Sequence, residues 1–244
     1  MKAIEARALT KAYKGKTAVD SLELSVEQGE LFALLGVNGA GKTTTIKMLS
    51  CLLRPTGGDA LLREKSIVSQ PYEVKKIINV SPQETAVAPN LSVRENLELI
   101  CGVYGHPRAQ AKQKAQETIL AFGMEEIVKS RAKTLSGGWQ RRLSIAMALI
   151  SEPQILFLDE PTLGLDVLAR RELWNIIRKL KGQITIVLTT HYLEEAEALS
   201  DRIGIMARGK LKAIGTAQEL INAARASSFE DAFVALCGEG GGAQ

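Results

Sequence analysis

The chain has little of what metal-bound or cross-linked frameworks need. Its 244 residues include three cysteines, at 51, 101 and 237, and two histidines, at 106 and 191. The cysteines are odd in number, widely scattered and without CxxC spacing, which excludes a disulfide frame and a zinc site and points to a reducing compartment. Two histidines are too few for a histidine-built metal centre. No apolar run approaches the roughly 20 residues that carry a helix across a bilayer. The first residues, MKAIEARALTKAYKG, alternate charged and apolar side chains, so they do not read as a secretory signal. The net charge of +4 is spread along the chain without a block of like charges, and it gives no reason to expect nucleic-acid binding. What these absences leave is a cytoplasmic globular domain, 45% hydrophobic and long enough to bury its own core.

What is present is alternation between strand and helix signals. Residues 4–9 and 22–26 alternate as strands, and Gln28-Gly29-Glu30 turns the chain into the apolar run Leu31–Leu35. A helix is expected over 43–52, stopped by turn chemistry at Arg54-Pro55-Thr56-Gly57-Gly58. Residues 77–80 read as a short buried strand leading to Ser81-Pro82-Gln83. From 92 to about 130 the period becomes helical, with Ser92 and Glu95 at capping-box spacing, and this stretch reads as a helical subdomain inserted between core strands. Strands at 155–158 and 185–188 then alternate with helices at 167–180 and 193–199, which implies a mainly parallel sheet covered on both faces. Residues 203–206 and 211–214 are expected to pair across Arg208-Gly209-Lys210. A final helix over 229–236 puts Phe229, Phe233 and Leu236 on one side, and the tail GEGGGAQ reads as disordered.

Three strand ends and one helix start carry residues suited to a nucleoside triphosphate. Gly36, Val37, Asn38, Gly39, Ala40, Gly41, Lys42 and Thr43 spell Gly-x-x-x-x-Gly-Lys-Thr between a strand and a helix, the context of a phosphate-binding loop whose contacts extend to Thr44. Glycines there let backbone amides turn toward phosphate oxygens, and the helix N-terminus adds its dipole. Lys42 supplies a cation for the terminal phosphates and Thr43 a hydroxyl for Mg²⁺. Asp159 and Glu160 follow the apolar run ILFL at the carboxyl end of a buried strand, the edge where open α/β sheets bind ligands. Asp159 suits Mg²⁺ as a hard oxygen ligand, and Glu160 suits orientation or deprotonation of an attacking water. Gln83 follows another strand and is placed to touch Mg²⁺ or that water. His191, after the strand over 185–190, offers an imidazole to the γ-phosphate.

A second phosphate-binding feature follows. Ser136 is a good helix N-cap, and Gly137 and Gly138 leave bare amides at that helix start. One loop already serves the phosphates from one side, so this second site suggests that another surface, from a second protomer, closes the nucleotide.

Together these residues resemble the nucleotide-binding domain of ABC transporters, and the resemblance spans essentially the whole chain. GVNGAGKT resembles Walker A, ILFLDE Walker B with Glu160 as catalytic base, LSGG the family signature, Ser81-Pro82-Gln83 the Q-loop, His191 the H-switch, and the stretch through Asp166 the D-loop. Tyr13 stands where the family places an aromatic that stacks on adenine. The fold so implied is an α/β P-loop ATPase with a RecA-like core, an N-terminal antiparallel β subdomain and an inserted helical subdomain at about 84–148. The nucleotide-binding domain would span 1–225, with a short helix and tail over 226–244. ATP and Mg²⁺ are the implied ligands, and catalysis falls to Glu160, His191, Gln83 and Lys42. The implied assembly is a head-to-tail homodimer or pseudo-symmetric dimer, in which Ser136, Gly137, Gly138 and Asp166 meet the nucleotide of the partner. PQET at 82–85, residues 92–97 with Tyr104-Gly105, TTHYLEEAE at 189–197 and FEDAF at 229–233 resemble bacterial exporters of drugs, antibiotics or sodium. That branch implies a separate integral-membrane permease, docked at the helical insertion, and a peripheral position at the inner face of the cell membrane. Trp139 departs from the commoner Gln or Met and is expected to pack away from the phosphates. Val167 replaces a frequent Pro, with Asp166 still able to cap the next helix.

The competing class is a soluble ABC-type ATPase, such as one serving iron–sulfur assembly, separated from the first by the partner it binds. Translation-factor types carry two such domains, chromosome-organising types long coiled coils, and repair types zinc-binding cysteines; none of these fits. A P-loop kinase or GTPase would leave LSGG unexplained and needs an Asn-Lys-x-Asp segment that is not there.

Overall fold

Two sheets divide the chain, and their packing sets where its loops emerge. The structure, a computed structural model, describes residues 1–238. It opens with β1 (Lys2–Tyr13) and β2 (Lys16–Glu27), then β3 (Leu31–Leu35) and α1 (Lys42–Leu49). Next come β4 (Gly57–Leu62), β5 (Lys65–Ser66), α2 (Pro71–Lys75) and β6 (Ile78–Ser81). Helices α3 (Val93–Val103), α4 (Arg108–Ala121) and α5 (Gly137–Leu149) separate β6 from β7 (Ile155–Asp159), with one 3-10 turn at Ala132–Thr134 before α5. The chain continues through α6 (Val167–Leu180), β8 (Thr185–Thr190), α7 (Leu193–Leu199), β9 (Arg202–Ala207), β10 (Lys210–Gly215), α8 (Ala217–Ala224) and α9 (Phe229–Gly238).

The four-stranded sheet runs β2-β1-β4-β5 and is antiparallel throughout. The six-stranded sheet runs β10-β9-β3-β8-β7-β6, with β10 antiparallel at one edge and the other five strands parallel. This is the expected α/β architecture: a RecA-like core, an N-terminal antiparallel sheet, and helices inserted between β6 and β7. The core strands are continuous apolar runs because both faces are covered. Alternation divides them cleanly. Leu31, Ala33, Leu35, Leu156, Leu158, Ile186 and Leu188 join the core shared with the helical insertion. Phe32, Leu34, Ile155, Phe157 and Val187 face the core beneath the antiparallel sheet and α1.

Local chemistry explains the departures from the sequence reading. The first helix ends at Leu49 instead of 52, because the Ser50 hydroxyl bonds back to Ile46 O (2.7 Å) and Cys51 turns left-handed (φ 57°). Gly57 and Gly58 do not complete a turn; they begin β4, which pairs with β1 from Thr10↔Gly57 to Ile4↔Leu62. Gly58 (φ 69°) fits there because a Cβ would stand 2.2 Å from Ala8 O, where β1 itself bulges. Helix α8 was not expected from hydrophobic period, although Thr216 and Glu219 form the capping box that starts it. The last helix runs to Gly238, so the first residue of the presumed tail is helical, and the rest of that tail lies outside the described residues. Ser92 and Glu95 form the expected capping box of α3.

Asn96, fully buried on α3, holds the chain that leads from β6 into the insertion. Its amide donates to Ala88 O (3.2 Å), Leu91 O (3.3 Å) and Ser92 O (2.9 Å), and its oxygen accepts from Ala88 N–H (2.7 Å). Asn96→Ala strips partners from a buried backbone turn and is expected to lower stability by about 2–3 kcal/mol in urea denaturation.

Candidate functional site

Parallel register brings four strand ends level. Leu35 pairs with Thr190, Asp159 with Thr189, and Leu158 with Ser81, so the loops after β3, β7, β8 and β6 leave the sheet at one edge. After β3 the chain must turn tightly against β9, where a Cβ on Gly36 would lie 2.3 Å from Met206 O. Gly41 (φ 106°) then enters α1 with Ala18 O only 2.5 Å from where its Cβ would be. Both positions require glycine for the backbone path itself.

Lys42 is folded back under this loop. Its Nζ donates to Gly36 O (2.7 Å) and Val37 O (3.4 Å) and lies 3.2 Å from Glu160 Oε1, with both side chains buried. Thr43 Oγ1 donates to Asp159 Oδ1 (3.1 Å), and Thr189 Oγ1 donates to the same oxygen (2.5 Å). Glu160 is left-handed (φ 48°), a conformation that costs a non-glycine residue on the order of 1 kcal/mol. Its N–H offsets this by donating to both the carbonyl and the hydroxyl of Thr189, at 3.1 Å each. Thr189 thus fixes the Asp159 carboxylate and the Glu160 backbone from the neighbouring strand. On the other side, His191 Nδ1–H donates to Glu160 Oε2 (2.7 Å), since a carboxylate can only accept. Glu160 is held between an ammonium and an imidazole.

These groups border a cavity of about 570 Å³, lined by Tyr13, Lys16, Ala18, Asn38, Gly39, Ala40, Gly41, Lys42, Thr43, Thr44, Gln83, Glu160, Leu163 and His191. Gly36, Val37 and Asp159 are one step removed: the Gly36 and Val37 carbonyls and the Asp159 carboxylate accept from the Lys42 and Thr43 side chains that line it. Gln83 reaches it two residues beyond the end of β6, in a segment whose Pro82 and Gln83 carbonyls accept from the Arg141 guanidinium. Arg141 is 4% exposed; burial holds its pKa below the ordinary value, opposed by the nearby charges of Asp159 and Glu195.

Four expected residues lie elsewhere in the same chain. Ser136 caps α5, accepting from Trp139 N–H (3.5 Å), with Gly137 and Gly138 opening that helix, and none of the three lines the cavity. Asp166 caps α6, accepting from Leu168 and Ala169 N–H at 2.9 Å each, also outside it. Trp139 packs its ring under the Arg142 guanidinium (4.3 Å), which also bonds Glu172 (2.5 Å), so that aromatic is pinned along the helix. The sequence reading missed Thr189, Arg141 and Lys16. Thr189 gave one signal, a threonine inside a wholly buried strand; Arg141 and Lys16 gave none that separates them from the other cations of the chain.

The ABC transporter family model matches residues 19–163. The chain is 44% identical over 220 residues to the daunorubicin/doxorubicin resistance ATP-binding protein DrrA of Streptomyces peucetius, covering 90% of this chain and 67% of that protein. It is 42% identical over 234 residues to ABC transporter A family member 2 of Arabidopsis thaliana, covering 89% of this chain but only 24% of the plant protein. Among solved structures, an ATP-binding subunit of an ABC transporter superposes with TM-score 0.84 at 29% identity, covering 96% of this chain and 99% of that one. The dimeric post-hydrolysis state of the ATP-binding cassette MJ0796, bound to ADP and Pi, superposes with TM-score 0.79 at 26% identity, over 87% and 98%.

Thr189→Val keeps the shape of the strand end and removes the hydroxyl shared by Asp159 and Glu160. Stability in urea is expected to fall by about 1–3 kcal/mol. ATP hydrolysis should fall with it, and Thr189→Ser, which restores the hydroxyl, should recover most of both.

Proposed function

The chain belongs to the ABC transporter ATP-binding family, and on that premise we propose that it is the energy-coupling subunit of an exporter whose permease is a separate polypeptide. Its activity is the family's: it binds ATP and hydrolyses it. One observation carries the finer reading. A single cavity gathers Lys42, Thr43, Gln83, Glu160 and His191, while the helix start at Ser136, Gly137 and Gly138 stands apart from it. Bare amides at a helix N-terminus suit an anion, and the nucleotide they would serve is that of a second copy, docked head to tail. Asp166 would lie at that junction, and closure and reopening of the dimer would drive the permease between its two states.

Within one site, Tyr13 would stack on adenine, the amides of residues 36–44 and Lys42 would hold the phosphates, and Glu160 would take the proton of the attacking water. His191, already bonded to Glu160, would keep that water and the γ-phosphate in line. Thr43 Oγ1 and Asp159 Oδ1 are hard oxygens 3.1 Å apart, a donor pair that fits Mg²⁺, which keeps most of its shell for phosphate and water. Those two residues, with Gln83 beside them, would hold the ion. When bound, it supplies neutralisation of phosphate charge.

We assign residues 1–225 to the nucleotide-binding domain, with a helical subdomain at about 84–148 that receives the permease, and 226–244 to an appended helix and tail. None of the described helices is long and apolar enough to cross a membrane, in keeping with a subunit held at the inner face through its partner. The name of the Streptomyces relative, a drug-resistance ATP-binding protein, supports export. The substrate would be chosen by the permease.

Gentle detergent purification of the tagged chain from its native membranes tests the assignment. A stoichiometric multi-span membrane protein is expected; soluble partners alone would replace the transporter reading with a soluble-assembly one. Glu160→Gln should abolish turnover, keep ATP binding and trap an ATP-dependent dimer in size-exclusion chromatography. Lys42→Ala should lose nucleotide affinity in a fluorescent-nucleotide titration. Mixing a Ser136→Ala chain with a Lys42→Ala chain should restore part of the activity, because some dimers would then hold one intact composite site.

A further inference from the structure

Glu195, on the first turn of α7, is fully buried yet takes no part in the hydrolytic arrangement above. A buried carboxyl is costly unless its oxygens are bonded, so its neighbours are informative. Trp174 Nε1–H, from α6, donates to Oε1 at 3.0 Å. The hydroxyls of Thr162 and Thr190 face the same carboxyl, and both threonines are buried, at 1% and 0% exposure. Oε2 and the Thr162 hydroxyl are buried without a completed hydrogen bond, which leaves the cluster room to adjust. Burial pushes the Glu195 carboxyl above the ordinary glutamate range against the pull of these hydrogen-bond donors, and the Glu160 charge pushes it the same way.

The three partners come from three segments around the site. Thr162 lies two residues after Glu160, and its carbonyl accepts from Leu165 N–H (3.1 Å) in the turn that leads to Asp166. Thr190 directly precedes His191, and its hydroxyl accepts from Tyr192 N–H (3.0 Å). Trp174 sits on the helix that Asp166 caps. The carboxyl is therefore bonded to α6 and lies against the segment after Glu160 and the turn carrying His191, the point where all three meet.

We propose that Glu195 is a positioning residue for ATP hydrolysis: through Trp174, Thr162 and Thr190 it holds Glu160 and His191 in register and makes the segment leading to Asp166 move with them. It does not touch the nucleotide. The inference rests on assigning Glu160 and His191 to hydrolysis. Its consequence is specific, because misplacing catalytic groups slows turnover and leaves the nucleotide contacts of residues 36–44 intact.

The test compares steady-state ATP hydrolysis and fluorescent-nucleotide affinity for Glu195→Ala, Glu195→Gln, Trp174→Phe and Glu160→Gln, with circular dichroism to confirm folding. Trp174→Phe, which keeps an aromatic and removes the donor, is expected to lower kcat about tenfold with KM within about threefold of the parent. Glu195→Ala should do the same or more. Glu195→Gln should stay within about threefold of the parent kcat, since an amide still accepts from the indole and offers a donor to the threonines. Should Glu195→Ala fail to fold, Trp174→Phe and Glu195→Gln decide the matter. Parental kcat in Trp174→Phe, a parallel loss of kcat and nucleotide affinity, or Glu195→Gln as damaged as the folded alanine variant would each overturn the proposal. Parental hydrolysis by Glu160→Gln would instead overturn the assignment on which it rests. An inactive Glu160→Gln beside an unaffected Trp174→Phe would remove Glu195 alone.

Discussion

Parallel hydrogen bonding of β3, β8 and β7 governs everything built on this sheet. It aligns Leu35 with Thr190 and Asp159 with Thr189, so the phosphate-binding loop, the paired carboxylates and the histidine leave the core side by side. Because both faces of the sheet are dry, the strands cannot slip by one residue without sending Phe32 and Phe157 into the wrong core. Register here is set by hydrophobic packing, and the polar site inherits its precision from that packing. A loop-built site would have no such reference.

The polar groups then carry a cost that the core offsets. Lys42 and Glu160 are charges with little access to water, 3.2 Å apart, and such pairs contribute little net stability because desolvation consumes most of the attraction. Their worth lies in orientation. Glu160 is left-handed, bonded through its amide to Thr189 and through its two oxygens to Lys42 and His191, so each of its degrees of freedom has an anchor. Arg141, reaching from α5 to the carbonyls of Pro82 and Gln83, extends the same logic to the helical insertion. The guanidinium thereby ties α5 to the segment that presents Gln83. The buried carboxyl of Glu195 does for the far side what Arg141 does for the near side.

On the proposed head-to-tail reading, one chain is chemically incomplete. The cavity is lined by the glycine-rich loop and Glu160, and the second helix start, at Ser136, lies outside it. Trp139 and Arg142 stiffen that helix start by stacking and by the bond to Glu172, so what it presents is rigid. On that proposed reading, a rigid helix start outside its own cavity would serve the nucleotide of a second copy.

Much of this was legible in the residues themselves. The glycine-rich loop, the carboxylates after ILFL, Gln83 and His191 were all named from type and spacing, because phosphate and metal chemistry permits few alternatives at those positions. Core strands were legible for the same reason that they are stable: their apolar runs are unbroken. The capping box at Thr216 was equally visible and was passed over, since a helix as short as Ala217–Ala224 gives its period little more than two turns in which to show. Strand β4 could not be read, because Gly57 and Gly58 spell a turn and become a strand only when β1 lies alongside, bulged at Ala8. Thr189, Arg141 and Glu195 depend on tertiary structure in the stricter sense. Each works through partners 21 to 59 residues away, and nothing local says what each one holds. Local chemistry determined which groups are suited to a nucleotide; only the packing of strand against strand and helix against sheet decided what holds those groups still, because orientation is a property of contacts that distant parts of the chain make together.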